Sequence, residues 1–133
     1  MRMVKVYCPP GKEAPLYAFM DALEPKLRSK LLWQILRLKY LAACELREPH
    51  FKHFTLEKYE MLYELREKGR VLVRIVFAVR DGEVILLVPF LKRQPRDTMK
   101  ALECSLRVME ELRRHPEYAV PIQIQRFQRE EPA

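Results

Sequence analysis

Apolar residues recur along the chain in two periods, and the period changes at prolines and glycines. In "MVKVYCPP" Val4 and Val6 alternate with polar or amphipathic residues, which predicts a short first strand ended by Pro9 and Pro10. "APLYAFMDAL" reads as a short helix with Pro15 in its first turn. Pro25 opens a second helix. In "EPKLRSKLLWQILRLKYLAAC", Leu27, Leu31, Ile35, Leu38 and Leu41 recur at steps of four and three, which makes one helix face. The two helices predict a hairpin closing over a sheet. Residues 45–58 are mixed, hold Pro49, and read as a loop with room for a short strand.

A meander follows. "YEMLYELR" predicts a strand, "EKG" a turn, and "RVLVRIVFAVR" a second strand. Asp81-Gly82 between two alternating runs is the strongest hairpin signal in the chain. "EVILLVPFLKR" is the third strand. Pro95 breaks the chain, and Asp97 is placed to cap a last helix. In "TMKALECSLRVMEELRRH", Leu102, Leu106, Met109 and Leu112 share one side, and Pro116 ends the helix. In the tail, Val120, Ile122 and Ile124 alternate with polar residues or proline, as in an edge strand or a flexible segment that orders on a partner. The expected fold class is α+β. It comprises a small antiparallel sheet of three to four strands, an N-terminal helical hairpin on one face, and a C-terminal helix. One domain is expected over 1–115, with a C-terminal extension over 116–133.

The central strand carries arginines where a core strand would not. Val71, Val73, Ile75, Phe77 and Val79 share one face, and Arg70, Leu72, Arg74, Val76 and Ala78 share the other. The first face is apolar throughout and should meet the helices. A three-residue loop at 67–69 would set Arg66 opposite Arg70, Glu64 opposite Leu72, and Leu62 opposite Arg74. Arg66, Arg70 and Arg74 would then cluster with Glu64 on the far face. Like charges placed opposite each other repel unless a carboxylate or a bound anion joins them. Such a face is either a solvated surface laced with ion pairs or a surface for an anion. Between residues 66 and 100 there are nine basic residues against four acidic ones, which brings the anion reading level with the ion-pair one.

Composition adds bounds. The chain has 133 residues, 49% of them hydrophobic and 32% charged, which suits one folded domain and argues against disorder. A net charge of +7 suits a nucleic-acid or acidic protein partner. No apolar run approaches the roughly 18 residues of a membrane span, and the start carries no secretory pattern. Cys8, Cys44 and Cys104 are odd in number and widely spaced, as for free thiols in a reducing cytoplasm. His50 and His53 lack further ligands at a metal-binding spacing, so neither metal nor cofactor is expected.

Motif order carries a resemblance. Leu62-Tyr63-Glu64-Leu65-Arg66, then Val73-Arg74-Ile75, then Leu86-Leu87-Val88-Pro89-Phe90-Leu91-Lys92-Arg93 follow a strand and two helices and precede a proline and a helix. This order resembles the RelE/ParE toxin superfamily, and within it the HigB-type, phage-derived toxin-like branch. The match runs over roughly residues 3–113. It departs at Val73, where an aromatic is common, at Arg93, which replaces a lysine, and in the longer tail.

The resemblance implies the toxin of a type II toxin–antitoxin system. The expected activity is that of a cytoplasmic, metal-independent endoribonuclease cutting mRNA on the ribosome, held by a small helix-turn-helix antitoxin. The alternatives are a ParE-like gyrase inhibitor and a non-catalytic phage-derived binding protein. Under the first reading Arg66 and Arg74 stabilise the phosphorane, since a guanidinium fork meets two phosphate oxygens. Lys92 completes the catalytic set, and with Arg93 it holds the substrate backbone. Arg70, Arg93, Arg96, Lys52 and Lys58 are the expected RNA contacts. Lys52, Lys58, Tyr59 and His115 are the candidates for general base, with no single choice among them.

Overall fold

The computed structural model describes residues 1–128. In chain order the strands and helices are β1 (Met3–Tyr7), α1 (Pro15–Asp21), α2 (Pro25–Arg37), β2 (Phe51–His53), β3 (Leu62–Lys68), β4 (Leu72–Arg80), β5 (Glu83–Lys92), α3 (Pro95–Arg114), β6 (Ala119–Pro121) and α4 (Gln125–Gln128). The fold is α+β. Its sheet is larger than expected, with six strands among the described residues in the order β2-β3-β4-β5-β1-β6. It is also mixed rather than antiparallel, because β1 runs parallel to β5. The three-residue strands β2 and β6 extend it at the two edges. Three residues are too few for alternation to announce a strand.

Each sheet face has its own core. Val73, Ile75 and Phe77 of β4 pack with Leu65, Val4, Val6 and Phe51 against Met20, Leu27, Leu31 and Ile35 of the α1–α2 hairpin. Val76 and Ala78, on the other face of β4, pack with Leu62, Ile85 and Leu87 against Ala101, Leu102, Met109 and Leu112 of α3. The hairpin and α3 therefore clamp the sheet from opposite sides, and the strand periodicity sorts the residues between them.

Helix α2 stops at Arg37, earlier than its apolar stripe suggests. The carbonyls just past its end find partners from the chain start: the Arg2 guanidinium donates to the Leu38 and Leu41 carbonyls, and the Arg2 N–H to Lys39 O at 2.9 Å. The helix's own last carbonyls, from Gln34 to Arg37, accept from the N–H groups of residues 38–41 in the turn that follows. At α3 the helix begins at Pro95, so Asp97 is not the cap residue. Its carboxylate lies in the first turn and accepts from the Arg93 and Gln94 N–H groups at 2.8 and 3.0 Å. Those two bonds hold the Asp97 carboxyl below its ordinary pKa.

Two features of the β3-β4-β5 meander decide which side chains meet. The β3–β4 loop is 69–71, and Lys68 pairs with Leu72, so Arg66 stands opposite Arg74 and Glu64 opposite Val76. Second, β5 carries a bulge, with Val76 facing Val88 but Phe77 facing Leu86. The extra residue, Leu87, resets the alternation. Phe90 then pairs with Arg74 and Lys92 with Leu72, which puts both on the α3 face. The β4–β5 turn is as predicted: Asp81 and Gly82 have φ of 49° and 73°, the left-handed pair of a type I′ hairpin.

The tail returns to the body. β6 pairs with β1, Val120 facing Val6. Phe127 is buried against the Tyr17 ring at 5.7 Å, and Arg126 bridges Glu13 and Asp21. Residues 129–133 of the expected extension lie outside the described residues.

Candidate active site

The α3 face of the sheet is covered over only part of its length. Beyond the Leu62–Ala78 pair, β3 and β4 present Glu64, Arg66, Val76 and Arg74 to that side, and β2 adds Lys52, whose register partner is Glu64. Arg66 and Arg74, at 20% and 12% side-chain exposure, are neighbours across the ladder. Glu64, 1% exposed, lies with them. Arg66 Nε donates to Glu64 Oε1 at 2.9 Å, and Arg66 Nη1 to Glu48 Oε1 at 2.9 Å. Arg74 Nε is 3.5 Å from the same Glu64 oxygen, near enough to attract it but without a hydrogen bond, and Glu64 Oε2 has no hydrogen-bond partner. Arg74 does donate through Nη1 to the Val73 carbonyl at 3.1 Å.

The electrostatics follow from this placement. Burial pushes the Arg74 guanidinium below its ordinary pKa; Glu64 opposes that push and Arg66 adds to it. An arginine stays charged regardless. One buried carboxylate thus serves two guanidiniums, and the second carboxylate on Arg66, that of Glu48, is 72% exposed.

An open cavity of about 220 Å³ lies beside the pair, lined by Pro49, His50, Arg66, Glu67, Lys68, Leu72 and Arg74. It is smaller than the roughly 300–1,000 Å³ of sites that enclose a small molecule. One charged group on a longer chain fits it better. A second groove of about 240 Å³ lies between β2 and the start of α3, where Lys52 and Lys92 meet Phe54, Tyr59, Pro95 and Met99.

The residues expected from the sequence divide. Arg66, Arg74, Lys92 and Lys52 share the α3 face, with Arg66 and Arg74 in one cavity and Lys52 and Lys92 in the next. Arg93 and Arg96 are exposed where β5 passes into α3. Arg70 is not in the cluster. It sits in the β3–β4 loop and lines a groove with Glu24, Lys26, Leu27 and Lys30 beside α2. The cause is the hairpin register, four residues away from the one a loop at 67–69 would give.

Lys58 is held by Glu103 of α3 at 2.9 Å, and the Tyr59 hydroxyl donates to the same carboxylate. Those bonds raise the Lys58 and Tyr59 pKa values and lower that of Glu103. His115 stacks on Tyr118 at 4.7 Å, past the far end of a 20-residue helix that spans about 30 Å. Of the four base candidates, Lys52 alone is beside Glu64.

Three residues of the site were not expected in it: Glu48, Glu67 and His50, which the sequence offered only as half of a metal pair with His53. Two stand in an irregular loop, where no periodicity assigns a face. Glu67 belongs to the opposite face of β3, and it is buried at the strand's end with Gln34 Nε2 donating to it at 3.3 Å. His50 and His53 do not pair. His50 turns to Glu67, at 3.8 Å, while His53 stacks on Tyr63.

Fold and face together define a small α+β protein with a six-stranded mixed sheet, clamped by helices, that presents strand-borne arginines in an anion-sized cavity. The chain belongs to the family described as Phage derived protein Gp49-like (DUF891), whose model matches residues 18–115. The matched stretch runs from within α1 to the residue after α3 and contains every residue of the arginine cavity. No curated protein and no solved structure matches the chain. Among the described residues no helix is long and apolar enough to cross a membrane.

Proposed function

We propose that this chain is the toxin of a type II toxin–antitoxin pair and an endoribonuclease that cuts mRNA on the ribosome. The observation that carries the reading is the Arg66–Arg74 pair, set face to face across β3 and β4 beside an open cavity and sharing one buried carboxylate. Two guanidiniums in fixed strand positions share Glu64, and the other partner of Arg66, Glu48, is exposed and can give way to an arriving anion such as a scissile phosphate. Membership of a phage-derived family and the order of the strand motifs support the same reading.

In this mechanism the ribose 2′-oxygen attacks the adjacent phosphorus and the bond to the 5′-oxygen breaks. Arg66 and Arg74 face the charge that grows on the phosphorane. Both sit on paired strands, so little reorganisation is needed when that charge develops. Lys92 and Lys52, one groove away, hold the flanking backbone, and Arg93 and Arg96 extend the basic path to the start of α3. The ribosome orients the RNA, and a small acidic antitoxin with a helix-turn-helix part covers the basic face.

Inducible expression in bacteria with primer extension on a translated mRNA tests this. Wild type should arrest growth and produce new 5′ ends inside the reading frame, and Arg74→Ala should lose both while remaining folded. Arrest with intact mRNA and a DNA-damage response would replace the reading with gyrase inhibition. Equal toxicity of Arg74→Ala at equal expression would remove Arg74 from the chemistry.

A further inference from the structure

We propose that His50 is the general base of the cleavage, with Glu67 as the residue that positions its ring; this rests on the endoribonuclease reading above. His50 lines the same cavity as Arg66 and Arg74. Its Nδ1 lies 3.8 Å from Glu67 Oε2, and its side chain is 41% exposed. A 3.8 Å approach is longer than a hydrogen bond, and such contacts commonly tighten only when substrate is bound.

The backbone fixes the histidine as well, since its carbonyl accepts from the Arg66 N–H at 2.7 Å. Glu67 is itself anchored from the hairpin side, by Gln34 Nε2 at 3.3 Å and Lys30 Nζ at 3.5 Å. The carboxylate thus passes through the end of the sheet: it is held beneath by α2 and meets the imidazole above. With Nδ1 turned to Glu67, Nε2 is the nitrogen left for substrate. A nucleophile, base and orienter in sequence is the usual logic of such sites.

The alternatives near the cavity suit the role less well. Glu64 Oε1 holds Arg66 and faces Arg74, and the side chain is 1% exposed, closed off from solvent. A lysine ammonium would first have to lose its own proton to act as base. A neutral imidazole is ready without that step.

The step balances. His50 Nε2 takes the 2′-OH proton as the 2′-oxygen bonds to phosphorus. The bond from phosphorus to the 5′-oxygen breaks, and the electron pair leaves on that oxygen, which takes a proton from water. The imidazolium then returns its proton to solvent. The products are a 2′,3′-cyclic phosphate and a 5′-hydroxyl.

The test uses the full chain with translating ribosomes and a defined mRNA, over a series of pH values. The groups facing His50 are Glu67, Arg66 and Lys68 of β3, Arg74 of β4, Lys30 of α2 through Glu67, and Arg47 and Glu48 of its own loop. None of the arginines and lysines loses its charge on the acid side. Wild type should therefore show kcat/KM falling on the acid side as the imidazole takes up its own proton. His50→Gln should lose about 10²–10⁴-fold in kcat, the range of general-base catalysis, with KM little changed and the acid limb gone. Glu67→Gln, which removes the charge that orients the ring, should lower kcat with KM little changed; if that variant does not fold, His50→Gln decides alone. His50→Gln cutting at the wild-type rate, or slowly with the acid limb retained, overturns the base role and leaves the endoribonuclease reading standing. No new RNA ends with wild type overturns both.

Discussion

Replacing Glu64 by glutamine tests the electrostatic account of the site at its centre. The side chain is isosteric, so the change removes charge and leaves volume. In the native protein one oxygen of this carboxylate, 1% exposed, sits 2.9 Å from Arg66 Nε and 3.5 Å from Arg74 Nε. Without it two guanidiniums face each other across a ladder with only the exposed Glu48 nearby. Breaking a buried charge pair costs about 3–5 kcal/mol, and the partial exposure of both arginines places this case at the lower end, about 3 kcal/mol. That is about two powers of ten in the folded-to-unfolded ratio and a fall of roughly 10 °C in Tm for a chain of this size. Urea unfolding followed by circular dichroism measures it. Inorganic phosphate should reverse the loss, because it binds the folded arginine pair; at about 100 times its Kd it restores about 2.7 kcal/mol. RNA affinity should rise as stability falls. Glu64→Gln unfolding at the wild-type denaturant midpoint, or unfolding earlier with no response to phosphate, would refute the view that Glu64 holds an arginine pair open to an anion.

Glu48→Gln should leave stability within about 1 kcal/mol, as expected of an ion pair whose carboxylate is 72% exposed. It should tighten RNA binding in a filter assay at low salt, since Arg66 Nη1 is released. Tyr7 makes a pH prediction. Burial and its hydrogen bond to Glu111 push the phenol up to about 12. A raised folded-state pKa stabilises below the unfolded value, about 10, and that stability is lost as pH rises toward 12. Tyr7→Phe should therefore flatten the alkaline fall in Tm over that window; an unchanged slope would remove Tyr7 as its cause.

The parts of this molecule that the sequence discloses are those where one physical rule acts alone. Val73, Ile75 and Phe77 alternate without interruption, so their face could be assigned to the helices. Asp81-Gly82 supplies the two left-handed residues a tight hairpin requires. The stripe of α3 follows from Leu102, Met109 and Leu112. Failures occur where a count, not a pattern, decides. The β3–β4 loop differs from the expected one in position, and that alone moves Arg70 from the arginine cluster to the α2 side. The β5 bulge is a single extra residue, Leu87. Strict alternation from Ile85 would have put Arg93 on the face of Arg74, and the bulge puts Lys92 there instead. Glu48 and His50 are in loop structure, and their neighbours are remote in sequence.

The arrangement around Arg66 also indicates how a strand can offer a charged group to a substrate without losing its own place. The guanidinium has two edges in use: Nε is held by buried Glu64, and Nη1 by exposed Glu48. An arriving phosphate cannot displace Glu64 without entering the sheet. It can displace Glu48, which gains full hydration when it leaves. One edge of the fork is therefore fixed by the fold, and the other is exchangeable. Arg74 is fixed differently, by its Nη1 bond to the Val73 carbonyl. Both arginines are oriented before substrate arrives, from the inner side, by groups that substrate does not touch. An arginine on a flexible loop would have to lose rotamer freedom at the moment of binding, a cost of the order of 0.5–1.5 kcal/mol per side chain. Here that cost has been met in folding, at the expense of a buried carboxylate whose second oxygen has no partner.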